Sequence, residues 1–95
     1  MTQFHVLATD KPGSLELRMA NRPAHLDWIE DHTDQVLIAG PFLDEETGSP
    51  KGSMLVVKAD NLAALEAFLA QDPYAKAGLF QTVEIRPFKL VVGGP

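Results

Sequence analysis

Apolar and polar positions along the chain alternate between short apolar runs and longer amphipathic stretches. Phe4-His5-Val6-Leu7-Ala8-Thr9 is a short apolar run closed by Asp10-Lys11-Pro12-Gly13, a strong turn signal, and predicts a first strand. Ser14 stands where it can cap a short helix from Leu15 to about Ala20, with Glu16 in its first turn. Asn21-Arg22-Pro23 is expected to break that helix. Pro23 then opens a second helical piece to about Asp34, with Leu26, Trp28 and Ile29 supplying apolar contacts. On it His25, Ile29 and His32 follow an i, i+4, i+7 spacing and share a side. Asp27, Glu30, Asp31 and Asp34 make its wet face.

Val36 to Leu43 is too short and too β-branched for a helix and predicts a second strand, in which Gly40-Pro41 marks an edge, a bulge or a local bend. Asp44 to Gly52 is a polar loop, long for a hairpin, with no evident motif between Asp44 and Lys51. Ser53 to Lys58 returns as a third strand. Asp60 or Asn61 caps the next helix, where Leu62, Leu65, Phe68 and Leu69 form an amphipathic stripe. A residue before proline is pushed out of the α region, so Asp72 should end that run. Pro73 can open a new short turn as its first residue, with Asp72 placed to cap the free N–H groups and Gly78 ending it. Phe80 to Arg86 begins a fourth strand that can resume beyond Pro87 as Phe88 to Val92.

The order strand, helix, strand, strand, helix, strand closes, with right-handed crossovers, into the ferredoxin-like α+β fold: a four-stranded antiparallel sheet with helices on one face. Strands two and three are apolar at consecutive positions, where a sheet wet on one side would alternate. A second copy packed sheet to sheet would cover the other face, which predicts a homodimer with a ligand cleft beside each sheet. The length suits one domain over residues 1–95.

Eight basic against thirteen acidic residues leave a formal charge of −5. That balance argues against nucleic acid, which needs clustered Lys and Arg, and equally against an anionic membrane surface. Without cysteine there is no disulfide, thiolate nucleophile or Cys-based metal site. No tight His-x₃-His spacing suggests a metal and no glycine-rich phosphate loop suggests a nucleotide, so no metal and no cofactor are expected. The N-terminus is a poor signal peptide and no apolar run reaches the roughly 20 residues of a membrane helix. The expected location is cytoplasmic.

His25 and Asp72 are each set by a proline, and the chemistry of the two side chains matches. A carboxylate fixes the tautomer of a neighbouring imidazole and favours its protonated form. The free nitrogen can then take or return a proton near neutral pH, typically worth about 10²–10⁴-fold in rate. On the residues alone, a histidine on a helix flank and a carboxylate capping a turn are the plainer reading. Arg22 can clamp a carboxylate or phenolate, or pair with Asp10 or Asp72. Ser53 is a hydroxyl near a strand mouth, outside any nucleophile elbow. Tyr74 can line a cleft or pack against the corner. Trp28 is expected in the core or an interface.

Asp10-Lys11-Pro12-Gly13, Arg22-Pro23-Ala24-His25-Leu26, Ala39-Gly40-Pro41, Gly52-Ser53, Asp72-Pro73-Tyr74, Ala77-Gly78-Leu79-Phe80 and Ile85-Arg86-Pro87-Phe88 together resemble the YCII-related (YciI-like) family in spacing and order. The resemblance spans nearly the whole chain. It implies a dimeric α+β barrel, related in shape to muconolactone isomerase, with a His–Asp pair that falls here on His25 and Asp72. One type of relative is a dehydrochlorinase of a chlorinated hydroxyquinol, in which such a pair is thought to do proton chemistry. The leading expectation is therefore a small enzyme of the lyase or isomerase type. His25 would be general base, Asp72 its orienting carboxylate, and Arg22, Ser53 and Tyr74 would bind the substrate. The alternative is a dimeric ligand-binding or accessory module without turnover, and a purely structural pairing module ranks below both.

Overall fold

The computed structural model of the chain describes residues 1–93. The elements are β1 (Thr2–Asp10), α1 (Leu15–Glu30), β2 (Val36–Leu43), β3 (Pro50–Ala59), α2 (Leu62–Leu69), α3 (Pro73–Lys76) and β4 (Phe80–Phe88). The strands form one antiparallel sheet in the order β2-β3-β1-β4, which is the ferredoxin-like arrangement expected from the element order.

Register decides which side chains meet the helices. Phe4, Val6 and Ala8 stand opposite Val57, Leu55 and Ser53, so all six share one face of the pleat. Trp28 of α1 with Leu65 and Phe68 of α2 packs onto the apolar part of that face as the core. Alternation sends Leu7, Met54, Val56, Ile38 and Phe42 to the opposite face. There the Phe42 ring lies against Gly52 so closely that a Cβ would overlap it.

The expected break at Asn21-Arg22-Pro23 does not occur, and α1 runs through Pro23. Proline removes one backbone donor, but Arg18, His25 and Trp28 are all buried along the helix, and Tyr74 lies against Arg18 before the proline and His25 after it. The helix stops at Glu30, short of Asp34. His32 Nδ1 there turns back onto the Trp28 carbonyl at 2.7 Å, and the Val36 amide donates to the His32 carbonyl at 2.9 Å, which starts the turn into β2. Ser14 occupies the N-cap position without a side-chain capping bond. Asn61, rather than Asp60, caps α2, accepting from the Ala64 amide at 2.8 Å.

β1 continues to Asp10, which pairs with Phe80 across a bulge, so a residue read as part of a turn is a strand residue. β2 is an edge strand. Its register shifts lie on either side of Gly40-Pro41 rather than at the dipeptide. β4, the other edge, passes through Pro87 and ends at Phe88 without resuming toward Val92. An edge strand tolerates a residue with no N–H to donate. Gly78 closes α3 at φ +73°, a conformation glycine adopts without steric cost. No helix among the described residues is long and apolar enough to cross a membrane.

Candidate active site

The site's central pair comes from the buried side of one helix and the proline-set cap of another. His25 follows Pro23 in the interior of α1, on its buried side. Asp72 precedes Pro73, with ψ 125° outside the helical region, and so stands at the N-cap of α3. His25 Nδ1–H donates to Asp72 Oδ1 at 2.8 Å across 47 residues of chain. The same Oδ1 accepts the Tyr74 amide at 2.9 Å. The capping carboxylate and the partner of the imidazole are thus one atom. Asp72 is 2% exposed and His25 7%. With Nδ1 committed to the carboxylate, Nε2 is the nitrogen left for another partner.

Tyr74 extends the arrangement. Its ring stacks on His25, with centroids 3.9 Å apart and planes inclined by 14°, and the Arg18 guanidinium lies 4.6 Å from the same ring centre. Arg18 donates from Nη1 to both Asp10 oxygens, at 3.1 and 3.0 Å, and from Nη2 to Ser53 Oγ at 2.8 Å. A hydroxyl that accepts from an arginine keeps its own proton to donate elsewhere. Burial pushes the Asp10 carboxyl above its ordinary 3.8, and the hydrogen bond and charge of Arg18 offset only part of that rise. Burial likewise raises the Tyr74 phenol above 10.0, against the pull of Arg18 and Arg22.

Two cavities of similar size lie on the helix-covered side and share Leu55 as a wall. One, about 260 Å³, is lined by Arg18, Arg22, His25, Ser53 and Tyr74, with Ala39-Gly40-Pro41 of β2 among its lining residues. The other, about 270 Å³, is mainly apolar, with Phe80, Val83 and Ile85 of β4 on one side and Asp72 in its lining. The His–Asp pair therefore borders both, with the imidazole toward the first and the carboxylate toward the second.

The fold brings His25, Asp72, Ser53 and Tyr74 together and leaves Arg22 exposed, contributing to the wall of the first cavity. Neither ion pair considered for Arg22 forms, because Arg18 holds Asp10 and His25 holds Asp72. Arg18 is the residue that the sequence does not disclose, and Asp10, considered as a partner for Arg22, pairs with Arg18 instead. Arg18 lies seven positions before His25, two turns along one helix face, a relation hidden once a helix break is placed at Pro23. The turn motif hides that Asp10 belongs to β1, beside α1. Trp28 packs in the core against Phe68, with centroids 4.7 Å apart. Among the described residues its buried Nε1–H has no hydrogen-bond partner.

Comparison with known proteins follows the same outline. The family model of the YCII-related domain matches residues 2–89. Protein YciI of Escherichia coli O6:H1 is 36% identical, with 93% of this chain and 97% of that protein aligned. The structure of 5-chloro-2-hydroxyhydroquinone dehydrochlorinase from Burkholderia phenoliruptrix AC1100, in complex with 2,5-dihydroxybenzoquinone, superposes with a TM-score of 0.86 at 33% identity, covering 92% of this chain and 93% of that one. An antibiotic biosynthesis monooxygenase superposes with a TM-score of 0.54 at 14% identity, covering 97% of this chain and 100% of that one. That last likeness is one of fold alone.

Proposed function

This chain belongs to the YCII-related family, and from that premise we propose that it is a small enzyme of the lyase or isomerase type. His25 acts as the general base and Asp72 orients it. The observation that carries the reading is the 2.8 Å contact between His25 Nδ1 and Asp72 Oδ1 at the wall of a cavity. Asp72 holds the imidazole by one nitrogen and Tyr74 holds it by the ring face. Nε2 then takes a proton from a substrate in the cavity and returns it to a neighbouring atom or to a departing group. Ser53 and Tyr74 bind the substrate from the cavity wall, and Arg22 from its exposed position.

A cavity of about 260 Å³ lies just below the usual range for ligand pockets, which suits a substrate of about one ring. The relative in complex with 2,5-dihydroxybenzoquinone supports a small polar ring compound here. The apolar outer face of the sheet, with Leu7, Met54, Val56 and Ile38, is where a second copy packs to form the homodimer. A cytoplasmic location belongs to the same reading.

Deuterium incorporation from D₂O into small hydroxylated aromatic and keto compounds, followed by NMR, tests the proposal. Chloride release from 5-chloro-2-hydroxyhydroquinone tests it in parallel. Loss of about 10²–10⁴-fold in rate is expected for His25→Gln. Equal rates for wild type and His25→Gln on every turned-over compound would remove His25 as the base. One observation favours a second reading, a binding module without turnover: Asp72 already has a structural task at the cap of α3. Saturable ligand binding with neither exchange nor elimination would favour it.

A further inference from the structure

The two cavities differ in the sign of their walls. Every charged group lining the first is basic or can become so: Arg18, Arg22 and His25. Both charged groups lining the second are acidic: Glu66 and Asp72. In a chain with a net charge of −5, a cavity without a single carboxylate in its wall stands out from the rest of the molecule. Arg18 is already neutralised by Asp10, with both carboxylate oxygens engaged. Arg22 is different. Among the described residues it takes part in no ion pair, it is exposed, and its charge reaches Tyr74 within the site.

We propose that the first cavity is a binding site for a small organic anion, a carboxylate or phenolate, whose charged group is held by Arg22. This deepens the function proposed above by naming the substrate class, and it rests on that reading for the role of His25. Arg22 and His25 are three positions apart on α1, so their side chains are neighbours on the helix surface. The anion's charged group and its labile proton must then lie only a few atoms apart. Arg22 fixes the first and leaves the second at His25 Nε2. The Ser53 hydroxyl, which accepts from Arg18, donates its proton to a second polar group on the ring. The neighbouring cavity, with its acidic groups, rejects the same ligand, and that gives the site its direction.

Benzoate and benzamide have nearly the same shape and differ in charge, which makes them suitable probes. Binding is read by fluorescence of Trp28, the chain's single tryptophan, whose ring lies 6.3 Å from that of His25, and located by NMR shifts of the Arg22 and His25 side chains. Charge-assisted hydrogen bonds to arginine predict benzoate tighter than benzamide by about tenfold or more. Arg22→Gln should remove the preference while circular dichroism and the thermal midpoint stay those of wild type. His25→Gln should keep it, so loss of the base and loss of the anion seat are separable. Equal affinity for the two probes, an unchanged preference in Arg22→Gln, shifts confined to the Glu66 cavity, or no saturable benzoate binding at millimolar concentration would each overturn the proposal.

Discussion

The imidazole of His25 lies flat on the phenol of Tyr74, 3.9 Å between centroids, and the Tyr74 amide bonds the same carboxylate oxygen as that imidazole. Orientation of the ring therefore depends on one corner of backbone. Asp72 at the N-cap sets the carboxylate, and the residue two positions later sets the stacking surface. The orientation of the imidazole and the capping of α3 thus share one side chain.

Substitution at Asp72 separates the two tasks. Asn keeps an oxygen that can cap the Tyr74 amide, whereas Ala removes both bonds. Asp72→Ala should cost about 1–3 kcal/mol in urea unfolding, and Asp72→Asn clearly less. Imidazole ¹⁵N shifts of the neutral ring should report the proton on Nδ1 in wild type and a loss of that bias in Asp72→Asn. A wild-type spectrum with the proton on Nε2 would contradict the assigned hydrogen bond.

Arg18 and Asp10 should be coupled in stability. Their side chains are only 4% and 5% exposed, so removing one partner strands a buried charge. Arg18→Met is expected to cost about 3–5 kcal/mol. The Arg18→Met, Asp10→Asn double variant should cost less than the sum of the singles, a coupling that denaturant unfolding measures directly. Additive losses would mean that the pair contributes nothing as a pair.

Asp10 also gives acid stability an unusual sign. Its carboxyl is raised above 3.8 in the folded chain, so the folded state binds more protons than the unfolded state between 3.8 and that raised value. Its contribution is fully present below 3.8 and is lost as pH rises through the folded value. Asp44, held below 3.8 chiefly by the Thr47 and Glu46 amides, acts oppositely. Its contribution is present above 3.8 and is lost as pH falls through its own lower value. Comparing the pH dependence of unfolding for wild type and Asp44→Ala should remove a slope of the ordinary sign below 3.8.

Tyr74 is the single tyrosine, so phenolate absorbance reads it alone. Burial raises its phenol above 10.0. The folded protein should develop phenolate absorbance at higher pH than the urea-unfolded chain. The stability that this phenol contributes is present below pH 10 and is lost as pH rises through the folded value. Coincident titrations in the two states would place Tyr74 in water rather than in the site.

Gly52→Ala tests the outer face of the sheet. A Cβ there meets the Phe42 ring, which can turn, and the Ala8 carbonyl oxygen, which cannot without moving β1. Overpacking of this kind costs about 1–3 kcal/mol. A thermal midpoint equal to wild type would show that β1 and β3 separate more easily than the register implies.

Local signals were enough for the strands, the α2 stripe, the Asp72 cap and the Gly78 stop, because each depends on residues within a few positions of one another. Hydrophobic alternation, proline's effect on its predecessor and glycine's tolerance of positive φ act over that range. The pairing of His25 with Asp72 was also legible, on chemistry and spacing shared with a family. Pro23 shows where local reasoning stops. Its helix-breaking tendency is real, but the burial of Arg18 on one side of it and of His25 and Trp28 on the other outweighs one missing hydrogen bond. The Asp10–Arg18–Ser53 bonds, the stacking of Tyr74 on His25 and the opposite signs of the two cavities were settled only when β1, α1, β3 and α3 packed together. Those contacts join different elements, and their energies depend on burial, which no linear pattern of residue types records.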